Sequence, residues 1–101
     1  MLSINHHIWN IEFVAPFHEA LHMGGGEYTI GACDNSTKII YLSNRLRGRL
    51  LKKVLCHEIV HAVMFSYQVP LTHRQEEIVA STIDPYGEGV IDLTKKVLLR
   101  L

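Results

Sequence analysis

The sequence has few of the features that mark secreted, membrane-spanning or nucleic-acid-binding proteins. It contains only two cysteines in 101 residues, too few for a disulfide framework. No apolar run approaches the length of a transmembrane helix, and the first residues lack the pattern of a signal peptide. Its formal net charge is zero and no basic patch stands out, so we expect no direct nucleic-acid partner. These absences predict a cytoplasmic protein that binds no membrane.

The composition favours a folded chain of modest size. Hydrophobic residues make up 48% of the sequence and charged residues 20%, which is typical of a globular protein rather than a disordered one. A chain of this length can bury one small core. We therefore expect a single domain over residues 1–101, and the sequence leaves its oligomeric state open.

Three segments have strand character. Trp9, Ile11 and Phe13 alternate with polar residues, so we expect a strand within 3–14 that buries these three side chains. Residues 27–33 and 38–42 read as two further strands, joined by a polar turn. The expected sheet therefore has at least three strands.

The remaining segments favour helices. Residues 17–24 predict a short helix closed by Gly24, in which His18 and His22 would form a second possible metal pair or simply an exposed turn. A longer helix is predicted from Arg47–Arg49 to Ser66. A third should begin at Thr72, with Glu76 closing a capping box, and run to about residue 83. From Glu88 the chain is amphipathic again, which completes an α+β pattern.

The most informative stretch is the H-E-x-x-H pattern at residues 57–61, which lies inside the longer predicted helix. Helix positions i and i+4 share a face, so His57 and His61 could bind one metal ion. Glu58 is offset around the helix and could act as general base on a zinc-bound water. This division of roles is typical of zinc-dependent peptidases. The alternative is a chance pair of histidines, but the apolar helical spacing around them favours a metal site.

A catalytic zinc site needs a third protein ligand. The metzincin pattern is excluded, because Met64 and Tyr67 occupy the positions where it requires Gly and His. The other plan takes a Glu from the following helix, where Glu76 and Glu77 are both candidates and Asp84 is a more distant one. Cys56 is a weak candidate, because it cannot share a helix face with the adjacent His57, and we expect it to be a buried thiol.

Residues 77–81, Glu-Ile-Val-Ala-Ser, resemble the E-x-x-A-D or E-x-x-A-N ligand helix of gluzincins. The order of predicted elements over nearly the whole chain resembles the small phage and mobile-element metallopeptidases of the ImmA/IrrE group. This resemblance implies a zincin-like domain, with one Zn²⁺ per chain held by His57, His61 and Glu77. It also implies that Glu58 is the catalytic base and that the substrate is a peptide or a regulatory protein, such as a phage-type repressor.

The chain departs from that pattern at Ser81, where Asp or Asn is typical, so a hydrogen bond to a ligand histidine would be absent or weaker. Stabilising an oxyanion usually takes a second donor, and Tyr67, His73 and Tyr86 are candidates. The alternative function is a zinc-binding or partner-docking module of the same fold that has no catalytic activity.

Overall fold

The computed structural model describes residues 1–82. In chain order the elements are β1 (Leu2–Ile4), β2 (His7–Val14), a 3₁₀ turn (Glu19–Leu21), β3 (His22–Gly24), β4 (Glu27–Tyr28), β5 (Gly31–Asp34), β6 (Ile39–Ser43), α1 (Gly48–Ser66) and α2 (His73–Thr82). The fold is a small α+β domain with a mixed sheet and two helices. The helix predicted after Glu88 lies outside the described residues.

The main sheet has four strands in the order β1-β2-β6-β5, one more than the smallest sheet predicted. The β1–β2 and β5–β6 pairs are antiparallel, whereas β2 and β6 run parallel. Strand β5 forms an edge of this sheet and lies beside α1. The sheet therefore presents an edge strand next to the helix that carries the H-E-x-x-H motif.

The single strand expected within 3–14 is in fact two strands. Asn5 and His6 both adopt positive φ, at 47° and 67°, and turn the chain between β1 and β2. The Asn5 side chain donates a hydrogen bond to the carbonyl oxygen of Ser66 at 3.0 Å. Asn accepts the left-handed conformation more readily than most residues, which suits it to this turn. Its hydrogen bond to Ser66 anchors the turn to the end of α1.

Burial decreases along β2. Trp9 is fully buried, as predicted, and its indole nitrogen donates to the Ser66 hydroxyl at 2.7 Å. Ile11 is partly buried against the core, but Phe13 is 41% exposed. The prediction of a buried Phe13 was wrong, because the core cluster covers only the first part of the strand.

The helix predicted over 17–24 is also wrong. Its first half is the short 3₁₀ turn, and its second half is β3, which pairs with β4. The three glycines at 24–26 all have positive φ, so they turn the chain back instead of ending a helix. His18 and His22 therefore do not share a helix face. Each accepts a hydrogen bond locally through Nδ1, from the amides of Ala20 and Gly24 respectively.

The segment predicted as one strand over 27–33 divides between two sheets. Residues 27–28 belong to the ribbon with β3, and residues 31–34 pair with β6. The polar turn that follows is as expected, because the Asp34 carboxylate accepts hydrogen bonds from the amide and hydroxyl of Ser36.

Helix α1 agrees with the predicted range, and its buried face forms the core with the sheet. The buried members of this core are Leu2, Ile4, Trp9, Ile40, Leu42, Leu46, Leu55, Ile59 and Ala62. Leu51, predicted on the same stripe, packs partly buried against them. No helix within residues 1–82 is long and apolar enough to cross a membrane.

Helix α2 begins after Thr72, as predicted, but its capping box uses a different partner. The backbone N–H of Gln75 donates to the Thr72 hydroxyl at 3.2 Å, and the backbone N–H of Thr72 donates to the side-chain oxygen of Gln75 at 2.9 Å. Gln75 occupies the third helical position, which the motif requires, whereas Glu76 lies one position too far along. Glu76 is therefore available for another contact.

Candidate metal centre

Helix α1 places the two motif histidines one above the other. The Nε2 atoms of His57 and His61 lie 3.2 Å apart. His61 is buried and His57 is partly exposed. The two rings therefore present adjacent nitrogen atoms towards one point, as the i, i+4 spacing requires.

Helix α2 brings Glu77 to the same point. The helix is held against α1 by a small apolar cluster of Val60, Met64 and Ala80. One Glu77 oxygen lies 2.9 Å from Nε2 of His61, and the other lies 3.4 Å from Nε2 of His57. These three residues form a group that could hold a metal ion.

Glu76 lies on the opposite side of the His61 ring. Its buried carboxylate is 2.6 Å from Nδ1 of His61, so it accepts a hydrogen bond from that nitrogen. This contact assigns the ring proton to Nδ1 and leaves the lone pair of Nε2 directed at Glu77. An imidazole lone pair and a carboxylate oxygen 2.9 Å apart repel unless a cation, either a metal ion or an added proton, lies between them.

Of the two glutamates considered for the third ligand, Glu77 therefore lies at the Nε2 atoms of both histidines, and Glu76 contacts the other nitrogen of His61. The sequence analysis did not predict that Glu76 would contact Nδ1 of His61, although the adjacency of the two glutamates indicated that they differ in role. Adjacent helix residues point about 100° apart, so two consecutive glutamates cannot both face one atom. The side chain of Ser81, and Asp84 altogether, lie outside the described residues.

Glu58 is buried beside this group without belonging to it. Burial raises its pKa to about 7; the electrostatic interaction with His61 acts to lower that pKa, and the Glu77 and Glu76 carboxylates act to raise it. A carboxyl group with a pKa near neutrality can exchange a proton at physiological pH. Its surroundings therefore suit a group that accepts and returns a proton.

Gly31 of β5 lies close to Val54 and Glu58 of α1. A Cβ atom at this position would lie 2.6 Å from Cγ1 of Val54 and 3.3 Å from Cγ of Glu58. The first distance is shorter than any normal carbon–carbon contact. Only glycine lets the strand approach α1 this closely.

A cavity of about 720 Å³ opens beside the group and runs between α1, α2 and the β5 edge. His57, Glu58, His61, Glu76 and Glu77 all line it. The site is therefore accessible to a ligand of peptide size.

The residues predicted as candidate donors to an oxyanion lie in different places relative to the cavity. His73 begins α2 and lines the cavity, one helical turn before Glu77. Tyr67 is 59% exposed and is not among the cavity-lining residues, and Tyr86 lies outside the described residues. Among the described candidates, His73 is the one placed to reach a ligand in the cavity.

The cysteines take no part in the candidate centre. Neither belongs to the group that could hold a metal ion, and Cys56 is buried as expected. Burial, reinforced by the nearby Glu58 carboxylate, raises the pKa of the Cys33 thiol, which lines the cavity. A raised thiol pKa makes Cys33 a poor nucleophile at neutral pH.

Comparison of the chain with protein-family models, with curated proteins and with solved structures gave no match.

Proposed function

We propose that this protein is a zinc-dependent metallopeptidase in which His57, His61 and Glu77 bind the metal and Glu58 is the general base. The observation that carries the proposal is the convergence of two imidazole nitrogens and one carboxylate on a point beside a buried, separate carboxylate. Two helices contribute the ligands in the order expected of a gluzincin. We also propose that the domain is zincin-like and that the protein is similar to the metallopeptidases of the ImmA/IrrE group.

The donor set suits zinc. In a tetrahedral site with bonds of about 2.0–2.1 Å, ligand atoms lie about 3.3 Å from one another. The two histidine nitrogens lie 3.2 Å apart, close to that value, and Glu77 approaches them with one oxygen 2.9 Å from His61 and the other 3.4 Å from His57. Two imidazoles and one carboxylate also form a ligand set of catalytic zinc sites, which leave one position open. The cavity lies beside the group, where that open position is needed.

A zinc ion held by these residues would acidify a water molecule and polarise the peptide carbonyl. Glu58 would take the proton of the attacking water and pass it to the leaving amine. Glu76 would keep the His61 ring in the tautomer that binds metal. His73 would donate a hydrogen bond to the oxyanion.

The edge strand offers a way to hold the substrate. Strand β5 pairs with β6 on one side only, and among residues 1–82 no strand pairs with its other side. An extended peptide could add to this free edge through backbone hydrogen bonds and lie across the cavity. Such binding uses the main chain of the substrate and requires a segment that is unfolded or exposed. A segment of this kind in a regulatory protein, such as a phage-type repressor, would be a suitable substrate.

The proposal is tested by metal analysis followed by a cleavage assay. Protein purified without added zinc should contain close to one zinc per chain, and it should cleave members of a broad peptide library. A chelator should abolish cleavage, and added zinc should restore it. If the protein holds zinc but cleaves nothing, the non-catalytic binding module is the better account. If it holds no metal, the proposed site is wrong.

A further inference from the structure

The ring of His61 contacts Glu76 at its edge and stacks against Phe65 on its face. The Glu76 carboxylate lies 2.6 Å from Nδ1 of His61. The Phe65 and His61 rings have their centroids 6.4 Å apart and their planes inclined by 28°. Phe65 follows His61 by four residues on α1, and long helical side chains lean towards the start of their helix. The Phe65 ring therefore lies over the turn that carries His61.

Phe65 also contacts the interior of the protein. Its ring stacks on the ring of Trp9, with a centroid distance of 6.3 Å and an interplanar angle of 17°. Phe65 packs, partly buried, against the core cluster and at the same time lines the cavity beside the metal group. This side chain therefore joins the core of the protein to the ring of a candidate metal ligand.

Trp9 gives this stack of rings a fixed end. The indole is fully buried, and its nitrogen donates to the Ser66 hydroxyl at 2.7 Å. The Ser66 carbonyl oxygen accepts a hydrogen bond from Asn5, in the turn between β1 and β2. Both hydrogen bonds tie the β1–β2 hairpin to the last residue of α1. A shift of Trp9 would leave a buried polar group without its partner, which is costly.

The stack restrains a motion that the Glu76 contact leaves free. A hydrogen bond loses little strength while its angle stays above about 150°, so the contact at Nδ1 permits the His61 ring to tilt. A tilt would move Nε2 of His61 away from the point that it shares with His57 and Glu77. A second ring on the face of the imidazole resists this tilt, because aromatic pairs with centroids about 4.5–7 Å apart attract each other.

We propose that Phe65 is a positioning residue of the metal centre, and that it holds the His61 ring with Nε2 directed at the metal. This inference rests on the proposed function, because it requires that His61 bind zinc. Phe65 is not itself a ligand and acts through His61. Through its contact with Trp9, it makes the β1–β2 hairpin part of the support of the site.

Three substitutions at Phe65 test this role. Phe65→Leu keeps an apolar side chain but removes the ring, and Phe65→Met does the same with an unbranched chain that fills irregular gaps. Phe65→Tyr keeps the ring. The matched control is Val63→Ala, because Val63 also packs partly buried against the core but is not among the cavity-lining residues.

The measurements are made on the full chain. Competition with a chelator gives the zinc affinity, and the absorption bands of cobalt(II) bound in place of zinc report on the geometry of the ligands. Phe65→Leu and Phe65→Met should bind zinc about 2–10-fold more weakly, the effect of losing one aromatic pair, and their cobalt bands should shift. Phe65→Tyr should keep the wild-type affinity and bands. Val63→Ala should lose stability towards urea but keep both.

Urea unfolding of the metal-free proteins shows which variants are folded, and either ring-free variant suffices for the comparison. Unchanged affinity and cobalt bands in a folded ring-free variant would overturn the positioning role and leave the metal centre in place. An equal loss of affinity in Val63→Ala would show a general effect of packing, which also overturns it. If the wild-type protein binds neither zinc nor cobalt, the metal centre is wrong, and the role of Phe65 falls with it.

Discussion

The buried carboxylate of Glu76 lies 2.6 Å from Nδ1 of His61, and Glu77 lies 2.9 Å from the other nitrogen of the same ring. Two consecutive residues of α2 therefore approach the two nitrogens of one imidazole. One contact fixes the proton and the other completes the candidate ligand set. One turn of α2 therefore supplies both the third candidate ligand, Glu77, and the residue that orients the His61 ring, Glu76.

Loss of the Glu76 carboxylate should weaken metal binding without removing a ligand. Changes to groups that support a ligand histidine typically cost 10–100-fold in affinity. We expect Glu76→Gln to lower zinc affinity about tenfold and Glu77→Gln to lower it more. Competition with a chelator of known affinity measures both. Equal affinities for the wild-type protein and Glu76→Gln would show that the contact does not support the metal.

Removal of either motif histidine should abolish stoichiometric zinc. His57→Ala and His61→Ala each leave two protein ligands, too few for a stable site. His73→Ala is the matched control, because His73 lines the same cavity but is not part of the ligand group. Elemental analysis of the purified variants reads out the result. Full zinc in either ligand variant would place the metal elsewhere.

Glu58→Gln should separate catalysis from metal binding. The amide has the size of the carboxylate but cannot accept the proton, so cleavage should fall by about 10²–10⁴-fold. Zinc content and thermal stability of the zinc-loaded variant should remain near those of the wild-type protein, since Glu58 is outside the ligand group. A variant that cleaves as fast as the wild-type protein would refute the general-base role.

The raised pKa of Glu58 should be visible in the stability of the metal-free protein. Its pKa rises from 4.5 to about 7 on folding, so the native state holds this proton more tightly than the unfolded state does. The resulting stabilisation is complete below pH 4.5 and is lost as the pH rises to about 7. It amounts to roughly 3 kcal/mol at most.

Urea unfolding of chelator-treated wild-type protein and Glu58→Gln checks this dependence. Other titrating groups are common to both proteins, so the difference between them reports on Glu58. The variant should gain stability relative to the wild-type protein between pH 4.5 and pH 8. A difference that stays constant over this range would mean that burial does not perturb the carboxyl group.

Gly31→Ala should destabilise the protein by about 1–3 kcal/mol, the usual cost of overpacking. The added methyl group would meet Val54 at 2.6 Å. The double variant Gly31→Ala, Val54→Ala removes the opposing methyl groups, so it should be less destabilised than the sum of its two single changes. Chemical unfolding of the four proteins in this cycle measures the coupling. Additive effects would indicate that the strand can move away from the helix.

The helices were predictable because their signals are local. The range of α1 follows from its apolar spacing, and Thr72 marks the start of α2. The i, i+4 geometry likewise allowed the pairing of His57 and His61 to be expected before any fold was known.

Some errors arose where distant contacts decide the conformation. Asn5 turns the chain with support from Ser66, far along the sequence. The error at residues 17–24 has a local cause, since the glycines at 24–26 all adopt positive φ and turn the chain back into a ribbon. The separate roles of Glu76 and Glu77 depend on how α2 is rotated against α1. That rotation is set by packing between the helices and by the cap at Gln75, so the sequence alone left the third ligand open.

The short link between the two ligand-bearing helices has a consequence for the order of folding. All three candidate ligands lie on α1 and α2, which are consecutive in the chain, whereas the parallel β2–β6 pair joins strands separated by the whole β3–β5 region. Closing a short loop costs less entropy than closing a long one. We therefore expect the helical hairpin to assemble early, as a local nucleus onto which the slower, non-local sheet then condenses, and a metal ion bound at the proposed site would stabilise that nucleus.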